Sequence, residues 1–151
     1  MSYLTASEFI DRYTEREARA LTDRAKAGVV DTALLQRTLD EASAYVDSFV
    51  GRRYALPLVS ASTGLAVVPE VLKRITGDVT RYQLTGTDVM ETEAIRKRYE
   101  DANKLLAKIA DGELSLGDAR MAASAAAPVG GAASVRSAER SFGRDVLDRM
   151  Y

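Results

Sequence analysis

The chain has 151 residues, of which 46% are hydrophobic and 28% charged, and its 21 basic and 22 acidic side chains give a net charge of -1. It contains neither cysteine nor histidine, which excludes thiolate nucleophiles, imidazole bases, disulfides and the usual Cys/His metal sites. The length suits one domain of about 100 to 200 residues, and the near-neutral charge argues against a broad nucleic-acid-binding surface.

The chain begins with two short predicted helices. Thr5 followed three residues later by Glu8 has the capping-box spacing, and an apolar face follows, so we predict a helix over residues 6–14. A further helical turn or two is expected over residues 15–23. Residues 24–30 contain Gly28 and little apolar periodicity, which indicates a loop.

The longest predicted helix covers residues 32–53. Asp31 is a suitable N-cap, and apolar residues then recur at steps of four and three, the spacing of one helix face. They are Leu35, Leu39, Ala42, Val46 and Phe49. Pro57 prevents further helix, and residues 57–68 carry no charge.

Two more helices follow. Pro69 is predicted at the first helical position of one that ends near Leu84, with Gly86 as its C-cap. The next is expected to begin after residues 87–88 and to end at Gly112.

The character of the chain changes near its end. Residues 119–133 are rich in Ala, Ser and Gly, which is typical of a flexible linker, and residues 134–151 regain large apolar side chains. We therefore predict an all-α fold, a small bundle of about four helices with a long flexible C-terminal arm. The expected divisions are a helical domain over residues 1–118, a linker over 119–133 and a docking arm over 134–151.

The uncharged loop over residues 57–68 has two interpretations. Its apolar residues either fold back on the helices of the chain or form a contact with another protein, since exposed apolar patches often mark interfaces. The candidate contact residues are Leu58, Val59, Leu65 and Val67.

No motif indicates catalysis. Residues 23–34 match a calcium loop at Asp23, at Gly28 and at the apolar Val30. Alanines and Leu34 replace three of the ligands, so a glycine turn is the better explanation. The sequence has no phosphate-binding loop of the common kinds. We predict no catalytic residue, no metal and no cofactor, and we expect the protein not to be an enzyme. The absence of a long apolar run also predicts no membrane span and a soluble protein, and the start of the chain lacks the pattern of a signal peptide.

Arginine precedes four of the seven tyrosines, at residues 12–13, 53–54, 81–82 and 98–99. One interpretation is DNA binding, with guanidinium groups on phosphates and rings on bases, which leaves a small helical DNA-binding or packaging factor as an alternative function. The other is packing of each ring on a helix face, which we favour for Tyr82 and Tyr99.

Six short motifs occur in a characteristic order along nearly the whole chain. They are Leu21-Thr22-Asp23, Arg53-Tyr54-Ala55-Leu56-Pro57-Leu58, Asp78-Val79-Thr80-Arg81-Tyr82-Gln83-Leu84, Arg98-Tyr99-Glu100-Asp101-Ala102, Leu114-Ser115-Leu116-Gly117 and Phe142-Gly143-Arg144-Asp145-Val146-Leu147.

In this order the motifs resemble those of the Mu-like prophage neck proteins, a family of head-to-tail connector adaptors of tailed bacteriophages. The resemblance implies a helical adaptor that forms a homo-oligomeric ring, expected to be a dodecamer, below the portal protein in the virion neck after assembly in the host cytoplasm. It also implies contact with the next neck or tail-completion protein and a channel through which DNA passes without sequence-specific binding. Phe142, Arg144, Asp145 and Leu147 would then dock the arm on the portal. The Ala-rich linker and the poorly calcium-like Asp23 loop depart from the family pattern.

Overall fold

The structure is a computed structural model that describes residues 2–86 and 91–122. Within these residues it has five helices and no strand longer than an isolated bridge, which confirms the all-α fold. The helices are α1 (Ala6–Tyr13), α2 (Glu15–Thr22), α3 (Thr32–Val50), α4 (Glu70–Thr85) and α5 (Glu93–Asp111). Most of the predicted linker and all of the predicted arm, with Phe142, Arg144, Asp145 and Leu147, lie outside the described residues.

The two short helices form as predicted. The Thr5 side chain accepts a hydrogen bond from the Glu8 amide, and the Glu8 carboxylate accepts one from the Thr5 amide, which completes the capping box. Thr14 separates α1 from α2 and caps α2 by accepting from the Glu17 amide. The two helices are therefore joined by a single residue, and we call them the helix pair.

The boundaries of the longer helices differ slightly from the predicted ones. Helix α3 ends at Val50 rather than at residue 53, because the chain then forms tighter turns in which the Arg52 amide donates to the Phe49 carbonyl and the Arg53 amide to the Val50 carbonyl. Pro69 is the N-cap of α4 rather than its first helical residue, since its ψ of 136° is extended. Gly86 and Gly112 end α4 and α5 in the left-handed conformation, as predicted.

Two apolar clusters hold the helices together. The main core lies between α3, α4 and α5, which pack pairwise against one another, and includes Val46, Leu72, Ile75 and Leu106. A second cluster lies where the helix pair α1–α2 contacts α3 and the end of α4. It consists of Leu4, Phe9, Tyr13, Ala18, Leu21, Leu35, Leu39 and Leu84.

The lengths and apolar faces of the described helices also bear on membrane insertion. None of these helices combines the length and the apolar character that a membrane span needs.

Candidate functional site

The segment that joins α3 to α4 is paired with the segment that follows α5. Isolated antiparallel bridges join Tyr54 to Met121 and Ser60 to Ala119, and the Arg120 amide donates to the Val59 carbonyl at 2.8 Å. Residues 119–122, predicted as the start of the linker, therefore lie against the helical domain in an extended conformation. The boundary expected between residues 118 and 119 falls inside this paired segment.

Tyr54 holds the segment that follows α5 against the main core. Its ring is buried in the main core, and its hydroxyl oxygen accepts a 2.9 Å hydrogen bond from the Leu116 amide. Leu116 is itself buried in the same core. The chain after α5 is therefore held by both an apolar contact and a buried hydrogen bond.

Residues 57–68 form a hairpin, and Asp118 holds this hairpin to the segment that follows α5. Val59 pairs with Ala66 across the hairpin, and the hydroxyl groups of Ser60 and Ser62 both donate to Oδ2 of Asp118. These two hydrogen bonds lower the pKa of the Asp118 carboxyl below its usual value because they favour its charged form. The hairpin is thus tied to the domain by a carboxylate that is ionised at neutral pH.

The four candidate contact residues of the hairpin have different surroundings. Leu58 is fully buried in the main core, so it anchors the hairpin and cannot contact another protein. Val59 and Val67 are half-buried, and Val67 packs against the core. Leu65 is 70% exposed. One strand of the hairpin therefore folds back on the helices, as the first interpretation holds, whereas the turn faces solvent. Contact of the turn with another protein stays a prediction.

The exposed turn gives this end of the molecule a distinct surface, which we call the hairpin surface and define as residues 61–66. All six residues are exposed and none is charged. Beside it, Ala61 and Met121 line a cleft of about 250 Å³ together with Arg53 and Gly112. The hairpin surface therefore presents one exposed leucine among small, uncharged residues.

The arginine–tyrosine pairs serve packing in the structure. Tyr13 and Tyr54 are buried, and the rings of Tyr82 and Tyr99 stack on each other at 4.1 Å with an interplanar angle of 8°, which confirms the packing interpretation for these two. The Arg81 guanidinium lies 4.7 Å from the centre of the Tyr13 ring. These rings are therefore engaged within the domain rather than presented as a stacking surface for bases.

The Asp23 loop is organised by hydrogen bonds to its own backbone. One carboxylate oxygen of Asp23 accepts from the Ala27 amide and the other from the Gly28 amide, both at 2.7 Å. Gly28 has a φ of 79°, a conformation that favours glycine. The loop is therefore a glycine turn closed by Asp23, which agrees with the explanation preferred from the sequence.

Asp118 and its two serine partners belong to none of the sequence motifs. Asp118 lies 56 residues from Ser62 and 58 residues from Ser60 along the chain. Neither the aspartate nor the serines belong to a periodic pattern. The polar residues within the uncharged stretch were the available signal, since a buried serine requires a hydrogen-bond partner.

The described residues define a small helical domain with an uncharged hairpin at one end. The family model described as Bacteriophage Mu, Gp36 matches residues 3–136, so the chain belongs to this family of phage proteins.

Two curated relatives agree with this assignment. The chain is 35% identical over 115 residues to the Mu-like prophage FluMu protein gp36 of Haemophilus influenzae, which covers 76% of this chain and 75% of the relative. It is 33% identical over 126 residues to Gene product J of Escherichia phage Mu, with 82% and 83% covered. The resemblance to a Mu-like phage family, inferred from the order of short motifs, is confirmed.

Proposed function

We propose that this protein is a non-enzymatic structural component of the phage virion, a head-tail connector adaptor in the neck. In this role copies of the chain form a ring below the portal protein and extend the DNA channel toward the tail. Membership of the phage Mu family over residues 3–136 supports a role in the phage particle. The hairpin surface supports a role based on docking.

The observation that carries the proposal is the contrast between Leu58 and Leu65. Leu58 is fully buried and Leu65 is 70% exposed on the same hairpin, and the hydrogen bonds from Ser60 and Ser62 to Asp118 hold that hairpin in place. A contact residue on a hairpin that is already ordered loses little conformational entropy on binding. We assign the hairpin surface to contact with a neighbouring copy or with the next neck or tail-completion protein.

The arm residues Phe142, Arg144, Asp145 and Leu147 are proposed to dock on the portal. Ala119 and Met121, which precede the arm in sequence, pair with Ser60 and Tyr54. Large apolar side chains flanking an arginine and an aspartate suit an anchor that fills pockets and adds a charge-assisted pair.

Electron microscopy of the full-length protein, with and without purified portal rings, tests the assembly. We expect an added ring of density on the portal. Absence of bound protein at micromolar concentrations of both components would contradict the proposal.

The arm is tested separately in the full-length chain by the double substitution Phe142→Ala and Leu147→Ala. We expect at least a tenfold loss of portal affinity, because truncating central apolar anchors commonly costs about 2 kcal/mol or more each. Val135→Ala, an apolar truncation at the start of the same segment, is the matched control. Unchanged portal binding by the double variant would show that these residues are not the anchor.

DNA binding, the alternative function, is tested by fluorescence anisotropy with labelled duplex at low and high salt. An adaptor that lines a channel needs no tight binding, so we expect weak association without sequence preference. Tight binding that falls steeply with salt would favour the DNA-binding alternative.

A further inference from the structure

The helix pair α1–α2 packs on the rest of the domain mainly through the second apolar cluster. Within the second cluster, Leu35, Leu39 and Leu84 come from the longer helices, and the remaining buried members come from residues 4–21. By contrast, Tyr3 is the only buried member of the main core, among the described residues, that precedes α3. The main core of α3, α4 and α5 is therefore nearly complete without α1 and α2.

A row of polar contacts joins the helix pair α1–α2 to α4, and we call this row the charged seam. From one end of α4 to the other, it consists of Arg12 with Glu70 at 3.3 Å, Lys73 with Glu8 at 2.7 Å, Tyr13 with Asp78 at 3.1 Å and Arg81 with Glu17 at 2.5 Å. The contacts nearer the start of α4 are more exposed than those at Asp78 and Arg81.

The two ends of the helix pair α1–α2 are attached to the rest of the domain in different ways. On one side, the Tyr3 amide donates to the Ser43 hydroxyl and the Tyr3 hydroxyl donates to Asp47. On the other side, residues 24–29 form an exposed loop in which Lys26 and Gly28 have positive φ. Residues 4–22 thus lie between an anchored residue and a solvent-exposed loop.

We propose that α1 and α2 form a clasp that opens as one unit while α3, α4 and α5 stay folded, and that the charged seam governs this opening. Opening exposes the apolar surface of Leu35, Leu39 and Leu84. The second cluster has fewer buried members than the main core. Segments with fewer buried apolar contacts open at lower free energy than a central core, and exposed ion pairs weaken as salt screens them. The clasp is therefore a conformational device whose closed state depends on ionic strength.

Hydrogen exchange of the full-length protein, followed by mass spectrometry, tests this proposal. We expect amides of α1 and α2 to exchange about tenfold or more faster than the buried central amides of α4. Raising NaCl from about 0.05 M to about 1 M should increase exchange in α1 and α2 several-fold and leave the centre of α4 unchanged. Equal protection of the two regions, or an equal response to salt, would overturn the proposal.

Glu17→Gln tests the seam directly, because it removes the carboxylate that pairs with the nearly buried Arg81. We expect exchange in α1 and α2 to rise about fivefold or more, with exchange at the centre of α4 changed less than twofold. Glu100→Gln, on the exposed face of α5, is the matched control and should change neither region. Faster exchange in all helices of Glu17→Gln, by the same factor, would show that the domain opens as one body. The salt series on the unmodified chain decides the question even if this variant is poorly folded.

Discussion

The Tyr13 hydroxyl donates a 3.1 Å hydrogen bond to Oδ1 of Asp78, across the boundary between the helix pair α1–α2 and α4. Burial and the nearby Asp78 charge both raise the pKa of Tyr13 above its usual value, so the phenol stays protonated and remains a donor. This contact depends on Gly77, where an added Cβ would lie 2.5 Å from the Tyr13 oxygen.

Gly77→Ala should therefore destabilise the protein. Displacing the Tyr13 ring costs about 1 to 3 kcal/mol, whereas the higher helix propensity of alanine returns about 0.5 to 1 kcal/mol, so a net loss of about 1 kcal/mol is expected. Urea unfolding followed by circular dichroism measures this difference. Gln83→Ala, on the exposed side of α4, is the control, and a stabilised Gly77→Ala variant would contradict the packing described.

Glu8 should contribute to loss of stability in acid. Hydrogen bonds from Lys73 and from Thr5 lower its pKa from 4.5 to about 2, so between these values the unfolded chain binds more protons than the folded one. The contribution is therefore present above pH 4.5 and lost as pH falls toward 2. Since the side chain is 41% exposed, the effect should stay below about 1 kcal/mol.

The measurement is urea unfolding of the wild type and of Glu8→Gln at several pH values across this window. The variant should be less stable at neutral pH, and the difference should shrink in acid. Glu15→Gln, exposed at the start of α2, serves as the control. A difference that stays constant with pH would refute the assignment to Glu8.

Tyr54→Phe should leave the Leu116 amide without its acceptor. The amide and the ring are both in the core, and an unsatisfied buried donor costs about 1 to 3 kcal/mol. Thermal unfolding should show a lower melting temperature than for the wild type. Tyr82→Phe removes a hydroxyl that makes no hydrogen bond to the part of the chain that the structure describes, and it should change stability much less.

Leu58→Ala should reduce the stability of the fold, whereas Leu65→Ala should leave stability nearly unchanged. Truncating the buried Leu58 should cost about 2 to 5 kcal/mol, whereas truncating Leu65, 70% exposed, should change stability by less than about 0.5 kcal/mol. If the proposed function holds, Leu65→Ala weakens assembly on the portal while the fold is unchanged. Unfolding curves and the amount of protein bound to portal rings provide the two measurements.

The sequence by itself determined which segments are helical and several of the residues that cap them. The capping residues Thr5 and Asp31, the spacing of apolar residues in α3 and the terminal glycines of α4 and α5 are local signals, because the hydrogen bonds and dihedral angles that they satisfy lie within a few residues. The order of short motifs also identified the phage family, since a resemblance of sequence needs no coordinates.

Only the tertiary structure decided which side chains of an uncharged stretch are buried. Leu58 and Leu65 are the same residue type seven positions apart, yet the first packs into the main core and the second faces solvent. The difference arises because residues 118–121 return to pair with the segment after α3 and Asp118 binds Ser60 and Ser62. Such contacts depend on the path of the chain between the partners, and no periodicity of either segment encodes it.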